Sequence, residues 1–464
     1  MQTRNAAPYL YYGQTTSLCE HCLAPVPAKI QVQGDQVYFH KRCPAHGTQK
    51  TLVSSDFAYY KLCKEYLKPG DRPQRYSGRT EYGCPYDCGL CPDHEQHSCL
   101  AILEVTDHCN LSCPVCFADS SPARGGFRTL DEIETMLDYL VECEGEPDLL
   151  QISGGEPTLH PRILEILRLA KRKPIRHLML NTNGLRLAQD PEFVRALAEL
   201  GKGFEVYLQF DSLNDAALQR LRGASLADTR RRALENLEQA GIATTLVVVV
   251  KRGVNDHELG DILRHATRYR CVRGITFQPI QDAGRNLDFD KRRDRVLLSD
   301  IRRLLIEQGG PFGADDLVPL PCNPEMIAIG YALRNGEKIQ PVTALFPRDA
   351  LLADAPNAVT FEKSAVLKQR LLDLLSLSSS GERAATALRS FLCCLPQVEA
   401  PETLGYDSVF RVAIVEFMDK YNFCVGGVKR SCIHFVTPER QMIPFDTYNL
   451  FYREGLEPAG RERP

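Results

Sequence analysis

Eighteen cysteines in a chain of 464 residues constrain it more than any other feature, because they are so unevenly placed. Eleven lie at or before Cys116, whereas Phe117 to Pro321 holds only Cys143 and Cys271. The opening, MQTRNAAPYLYYGQ, lacks the basic-then-apolar order of a secretory signal. In a large chain without an export signal, such thiols serve as metal ligands rather than disulfides. The expectation is a cytoplasmic protein with a metal-binding N-terminal quarter.

The densest group is DHCNLSCPVCFADS, Asp107 to Ser120, where Cys109, Cys113 and Cys116 are spaced by four and three. Structural zinc takes four ligands and a disulfide takes two. Three thiolates can instead hold three irons of a [4Fe–4S] cube and leave the fourth free for a small ligand. A bare C-x3-C-x2-C also occurs in zinc and ferredoxin-like sites, so its setting decides.

Other classes are poorly served by this sequence. Lys and Arg number 56 against 59 Asp and Glu, a net charge of -3 that gives no electrostatic case for nucleic acid or an anionic membrane. The longest aliphatic run, Leu246 to Val250, falls far short of the roughly 20 residues of a membrane helix.

The setting is alternating strand and helix. LAILEVT precedes the cysteine loop, and TLDEIETMLDYLVEC follows it as an amphipathic helix opened by Thr129 and Asp131. DLLQISGGEP, RHLMLNTNG, FEVYLQFDS, IATTLVVVV and GITFQPI read as five further strands, separated by helices such as PRILEILRLAKRK and ADTRRRALENLEQAG. Six strands in this alternation predict a parallel α/β sheet or an open barrel. Each strand ends in polar or glycine residues, and reactive sites form at that end of parallel barrels.

The cysteine loop with Phe117 beside it, and Ser153-Gly154-Gly155-Glu156-Pro157 ending the second strand, resemble the radical S-adenosylmethionine (SAM) superfamily. The resemblance implies a partial (β/α)6 barrel with a [4Fe–4S] cluster on Cys109, Cys113 and Cys116. Its open iron chelates SAM, and reduction releases a 5′-deoxyadenosyl radical. Gly154, Gly155 and Glu156 would meet the methionine ammonium. Among polar strand-end groups, Gln209, Asp211 and Arg252 are further SAM candidates, and Arg222-Gly223 resembles a recurrent pair of the superfamily.

Upstream, Cys19-x2-Cys22 and Cys43-x2-His46 flank the hairpin-like KIQVQGDQVYFHKR, a zinc-ribbon or rubredoxin-like knuckle for one zinc or iron ion. Cys63 competes with His46 as fourth ligand. In GCPYDCGLCPDHEQHSC, Cys84, Cys88 and Cys91 repeat the 4-then-3 spacing. Without a preceding strand they suggest an auxiliary [4Fe–4S] cluster closed by Cys99, with His94, His97 or a distant cysteine in reserve. Cys322, Cys393, Cys394, Cys424 and Cys432 remain for a second auxiliary cluster or as free thiols.

This tandem block, with VVVVKRGVNDHELGDI, GITFQPIQDAGR, DDLVPLPCNP and VKRSCIHFVTPERQMIPFDTYN, resembles the group of radical SAM proteins that includes the dihydropterin C-methylase and the tetraether lipid synthases. That likeness implies functionalisation of an unactivated carbon, by methylation or C–C coupling, in a pterin or lipid. An electron donor such as flavodoxin or ferredoxin is implied as partner. A peptide-modifying enzyme and a non-catalytic iron–sulfur protein are the other readings. The expected division is a metal knuckle over 1–65, an auxiliary-cluster segment over 66–99, the barrel over 100–310 and an α+β extension over 311–464.

Overall fold

The computed structural model describes residues 7–335, 338–344, 348–354, 357 and 408–453. Its N-terminal sheet is an antiparallel meander of β1 (Leu10–Leu18), β2 (Pro25–Gln33), β3 (Gln36–Cys43) and β4 (Gly47–Ser54). The expected hairpin is β2–β3, with Gln33 paired to Gln36 across the turn. Leu18, Ile30, Val37 and Phe39 pack against Met418, Phe423 and Phe451 near the other end of the chain. Lys41 is buried in that joint, its Nζ donating to the carbonyls of Lys420 and Tyr421 at 3.1 Å each. A buried ammonium without acceptors would be costly, so these bonds help fix how the sheet docks.

The six apolar segments are all strands. β5 (Leu100–Glu104) leads into the cysteine loop, where Val115–Cys116 forms the short β6. Then come β7 (Leu149–Ser153), β8 (His177–Thr182), β9 (Phe204–Gln209), β10 (Thr244–Val250) and β11 (Val272–Pro279). β5, β7, β8, β9, β10 and β11 lie side by side in chain order, all parallel. Strand side chains alternate between faces. Leu103, Ile152, Leu180, Val206 and Val248 therefore join the core formed with the helices, while Ile102, Gln151, Met179, Tyr207 and Val247 face the barrel interior. The first of those helices, Leu130–Glu144, starts with a capping box between Thr129 and Glu132.

The later chain extends this sheet at both edges. β12 (Arg285–Asn286) pairs with β6; β13 (Val318–Pro319), β14 (Ile327–Asn335) and β15 (Lys338–Pro341) precede β16 (Val409–Val415). β16 lies parallel to β11, and β14 lies antiparallel beyond it. On the other edge β17 (Ile433–Val436) pairs parallel with β5 and antiparallel with β18 (Met442–Pro444). The two edges approach each other: Phe417, just after β16, stacks on Phe445, just after β18, with centroids 3.8 Å apart. Such a pair adds about 0.5–1.5 kcal/mol beyond its buried area. Among the described residues no helix is long and apolar enough to cross a membrane.

Candidate active site

Inside the curled sheet is a cavity of about 1950 Å3, counting the part that opens to solvent. Residues at and after the C-terminal ends of the strands form part of its wall, and Cys109, Cys113 and Cys116 are the only thiols on that wall among the described residues. That donor set suits a cluster with three protein ligands and one open iron.

The loop carrying these thiols is held by arginines. Arg285, on β12, donates from Nε to the Cys113 carbonyl at 2.6 Å, from Nη2 to the Ser120 carbonyl at 2.6 Å, and to Asp119 at 2.8 Å. Arg222 donates to the Val115 carbonyl at 3.1 Å and pairs bidentately with Asp211 at 2.6 and 2.7 Å. Both members of that ion pair are buried. Asp211 has φ +66°, a left-handed backbone that its bonds to Arg222 and to Val249 N–H compensate. The Arg-Gly context singles out Arg222 in the sequence, whereas Arg285 stands only as the last residue of GITFQPIQDAGR.

The GGEP turn abuts the start of the loop. A Cβ on Gly154 would lie 2.3 Å from the Thr106 carbonyl oxygen, and one on Gly155 equally close to that of His108. Only glycine allows this approach, which places backbone of the turn on the cavity wall beside the thiols. Glu156 is buried at the same wall, and its carboxylate is committed within the protein. It accepts from Thr158 N–H and Oγ1 at 3.1 and 2.6 Å, from Thr182 Oγ1 at 2.7 Å and from Asn183 N–H at 2.7 Å. Burial raises its pKa against these bonds. Its side chain therefore ties the ends of β7 and β8 together.

The strand-end candidates separate. Gln209 lines the cavity beside Arg222, and with its side-chain amide turned over, its oxygen accepts from that guanidinium at 2.9 Å. Asp211 is spent on Arg222 rather than facing the cavity. Arg252 is half-exposed and pairs with Asp300 at 3.0 Å, away from the cavity wall, because the backbone turns out after β10. Asn183, by contrast, lines the cavity and bonds Asn110 of the cysteine loop at 2.7 Å.

The knuckle ligands converge. Cys19, Cys22, Cys43 and His46 place their donor atoms within 4.8 Å of one another. His46 Nδ1 is 3.6 Å from Cys19 Sγ and 3.5 Å from Cys43 Sγ, and Cys22 Sγ is 3.8 Å from Cys43 Sγ. Cys63 is buried instead in the main core, with burial pushing its pKa up to about 12.

Cys84, Cys88 and Cys91 form a loop packed against the C-terminal region: Leu90 N–H donates to the Met442 carbonyl, and Cys88 Sγ is 2.9 Å from Thr447 Oγ1. Cys99 sits elsewhere, its thiol against Cys322, Cys432 and His97. His94 bonds the Ser431 carbonyl and His434. Cys424 contacts Thr15, and Cys393 and Cys394 lie outside the described residues.

Comparison with known proteins agrees with this geometry. Residues 103–266 match the family model of the radical SAM superfamily, and residues 11–55 match that of the HMPTM N-terminal zinc ribbon domain. The 7,8-dihydro-6-hydroxymethylpterin dimethyltransferase of Methanocaldococcus jannaschii is 30% identical, over 96% of this chain and 94% of its own. The chain belongs to the radical SAM superfamily. This radical SAM enzyme is also 25% identical to the GTP 3′,8-cyclase of Shewanella denitrificans, over 47% of the chain and 64% of the cyclase. The crystal structure of Streptococcus suis SuiB is similar over 45% of each chain, with 17% identity and a TM-score of 0.38. A radical SAM enzyme carries a [4Fe–4S] cluster and SAM, and the three thiols, the glycine turn and the cavity fit both.

Proposed function

We propose that this enzyme C-methylates a reduced pterin. The observation that carries the reading is the near full-length likeness to a dihydropterin dimethyltransferase. The cavity supports it: apolar walls such as Leu149, Val247 and Ile329 are interrupted by Gln151, Tyr207, Thr245, Gln278 and Arg411. Tyr207 pairs with Thr245, Thr245 with Gly274, and Gly274 with Arg411, so polar side chains share one layer of the barrel. A flat heterocycle with several hydrogen-bonding edges suits such a layer better than an alkyl chain does.

Cys109, Cys113 and Cys116 would hold the cluster, which with SAM and one electron from a reductant would supply a 5′-deoxyadenosyl radical for activating an unreactive C–H bond. Arg222 and Arg285 hold the loop, the Gly154-Gly155 backbone and Gln209 line the cavity where they would meet SAM, and the apolar walls would keep water from the reacting carbon. An auxiliary [4Fe–4S] cluster on Cys84, Cys88 and Cys91, a zinc or iron ion in the knuckle, a flavodoxin or ferredoxin donor and a cytoplasmic setting complete the proposal.

Anaerobic reconstitution with SAM, reductant and a dihydropterin, followed by mass spectrometry, tests it. With a second SAM or an added one-carbon carrier as the source of the methyl carbon, the expected products are 5′-deoxyadenosine and a methylated pterin. Unmodified pterin alongside a modified lipid or peptide would overturn the substrate assignment.

A further inference from the structure

We infer that Cys99, Cys322, Cys432 and His97 bind a second single metal ion, one that clasps the two edges of the barrel sheet. Among the described residues, only two groups of three or more ligating side chains have donor atoms all within 4.8 Å of one another. One is the knuckle. The other is Cys99, Cys322 and Cys432, all fully buried. Cys322 Sγ is 3.6 Å from Cys432 Sγ, and His97 Nε2 is 3.4 Å from Cys99 Sγ.

The three thiols make one face of a tetrahedron around one ion, and His97, within reach of Cys99 although outside the set of mutually close donors, is the neighbouring group that would complete it. With metal–sulfur bonds of about 2.3 Å and metal–nitrogen bonds of about 2.0–2.1 Å, tetrahedral angles put two sulfurs about 3.8 Å apart and sulfur and nitrogen about 3.5 Å apart. The knuckle supplies an internal yardstick, at 3.8 Å between sulfurs and 3.5 to 3.6 Å from sulfur to nitrogen. A cube seats each thiolate on a different iron, so its ligands stand farther apart than ligands sharing one ion. The Cys109 loop and the Cys84 loop are both absent from the tight groups.

His97 is prepared for such a role. Its Nδ1 is 3.0 Å from Glu144 Oε2, and the other Glu144 oxygen accepts the Ser98 N–H at 3.0 Å. A carboxylate on one ring nitrogen fixes the proton there and frees the other lone pair for a metal. Asp148 Oδ2, at 4.0 Å from Nε2, is too distant to hydrogen-bond it. Three buried thiolates and an imidazole that is 14% exposed make a closed structural site for which zinc is the natural occupant.

The ligands come from both edges. Cys99 immediately precedes β5, Cys432 immediately precedes β17, and Cys322 lies between β13 and β14 at the opposite end of the sheet order. One ion there joins edges that share no backbone ladder.

Elemental analysis and X-ray absorption on the full-length, cluster-loaded protein test this. Two single ions per chain are expected besides the cluster iron. Cys322→Ser should lose one of them and leave the cluster iron unchanged. His97→Cys should keep the ion while its coordination shell moves from three sulfurs and one nitrogen to four sulfurs. Should Cys322→Ser fail to fold, Glu144→Gln should surrender the ion to a chelator at roughly 10- to 100-fold lower chelator concentration than the unmodified protein. Loss of a whole cube of iron in Cys322→Ser, no metal loss there, an unchanged shell in His97→Cys, or unaltered chelator sensitivity in Glu144→Gln would each overturn the site.

Discussion

Arg222 carries its charge where water does not reach, and Asp211 and the Val115 carbonyl take up most of its donors. Removing one member of a buried ion pair costs about 3–5 kcal/mol, because the other charge is left alone. Lysine keeps the charge but not the planar fork. Arg222→Lys should therefore lower iron occupancy at the Cys109 loop and cut 5′-deoxyadenosine yield at least tenfold; normal iron content with normal yield would refute the positioning role. Replacing Cys109, Cys113 and Cys116 together by alanine should abolish SAM cleavage while the other metal sites stay filled. The test is 5′-deoxyadenosine release measured beside metal content, and undiminished release would remove these thiols from the reaction.

At the scale of elements, the knuckle gives a sharp contrast between Cys63 and His46. Cys63→Ala should leave its metal content unchanged, and His46→Cys should retain one ion with a sulfur-only shell, read by X-ray absorption. For the Cys84 loop, alanine at Cys84, Cys88 and Cys91 should spare part of SAM cleavage but depress formation of modified substrate. Loss of SAM binding in a still-folded variant would contradict an auxiliary role. All six barrel strands and the GGEP turn were legible in the sequence, because local alternation and glycine chemistry specify them. The partner of Cys99 was not. Spacing favours the nearest cysteines, whereas Cys322 and Cys432 arrive through strand pairing that no local pattern records. Asp211 and Arg252 lie off the cavity wall for a related reason: strand-end polarity does not say whether a side chain turns into the cavity or toward a neighbouring ion.

For the whole molecule, the barrel floor ties acid stability to the cavity. Glu205 is fully buried among Arg411 at 3.0 Å, His177 at 3.0 Å and Thr245. Burial alone would raise its pKa, but Arg411 and His177 outweigh it and hold the carboxyl far below the usual 4.5. A depressed carboxylate contributes stability above its unfolded value, lost as pH falls through the folded one. Glu205→Gln should lower the melting temperature at neutral pH and flatten its fall below pH 4.5; a parallel shift across that range would show that the charge is not responsible. The two sheet edges bear on biogenesis. Leu100 must wait for Ile433 before its outer ladder exists, and Phe417 must wait for Phe445. A chain in which Ile433 and Phe445 have not yet docked thus has an unwalled radical chamber. Closing that wall is the step that turns an open sheet into a reaction vessel.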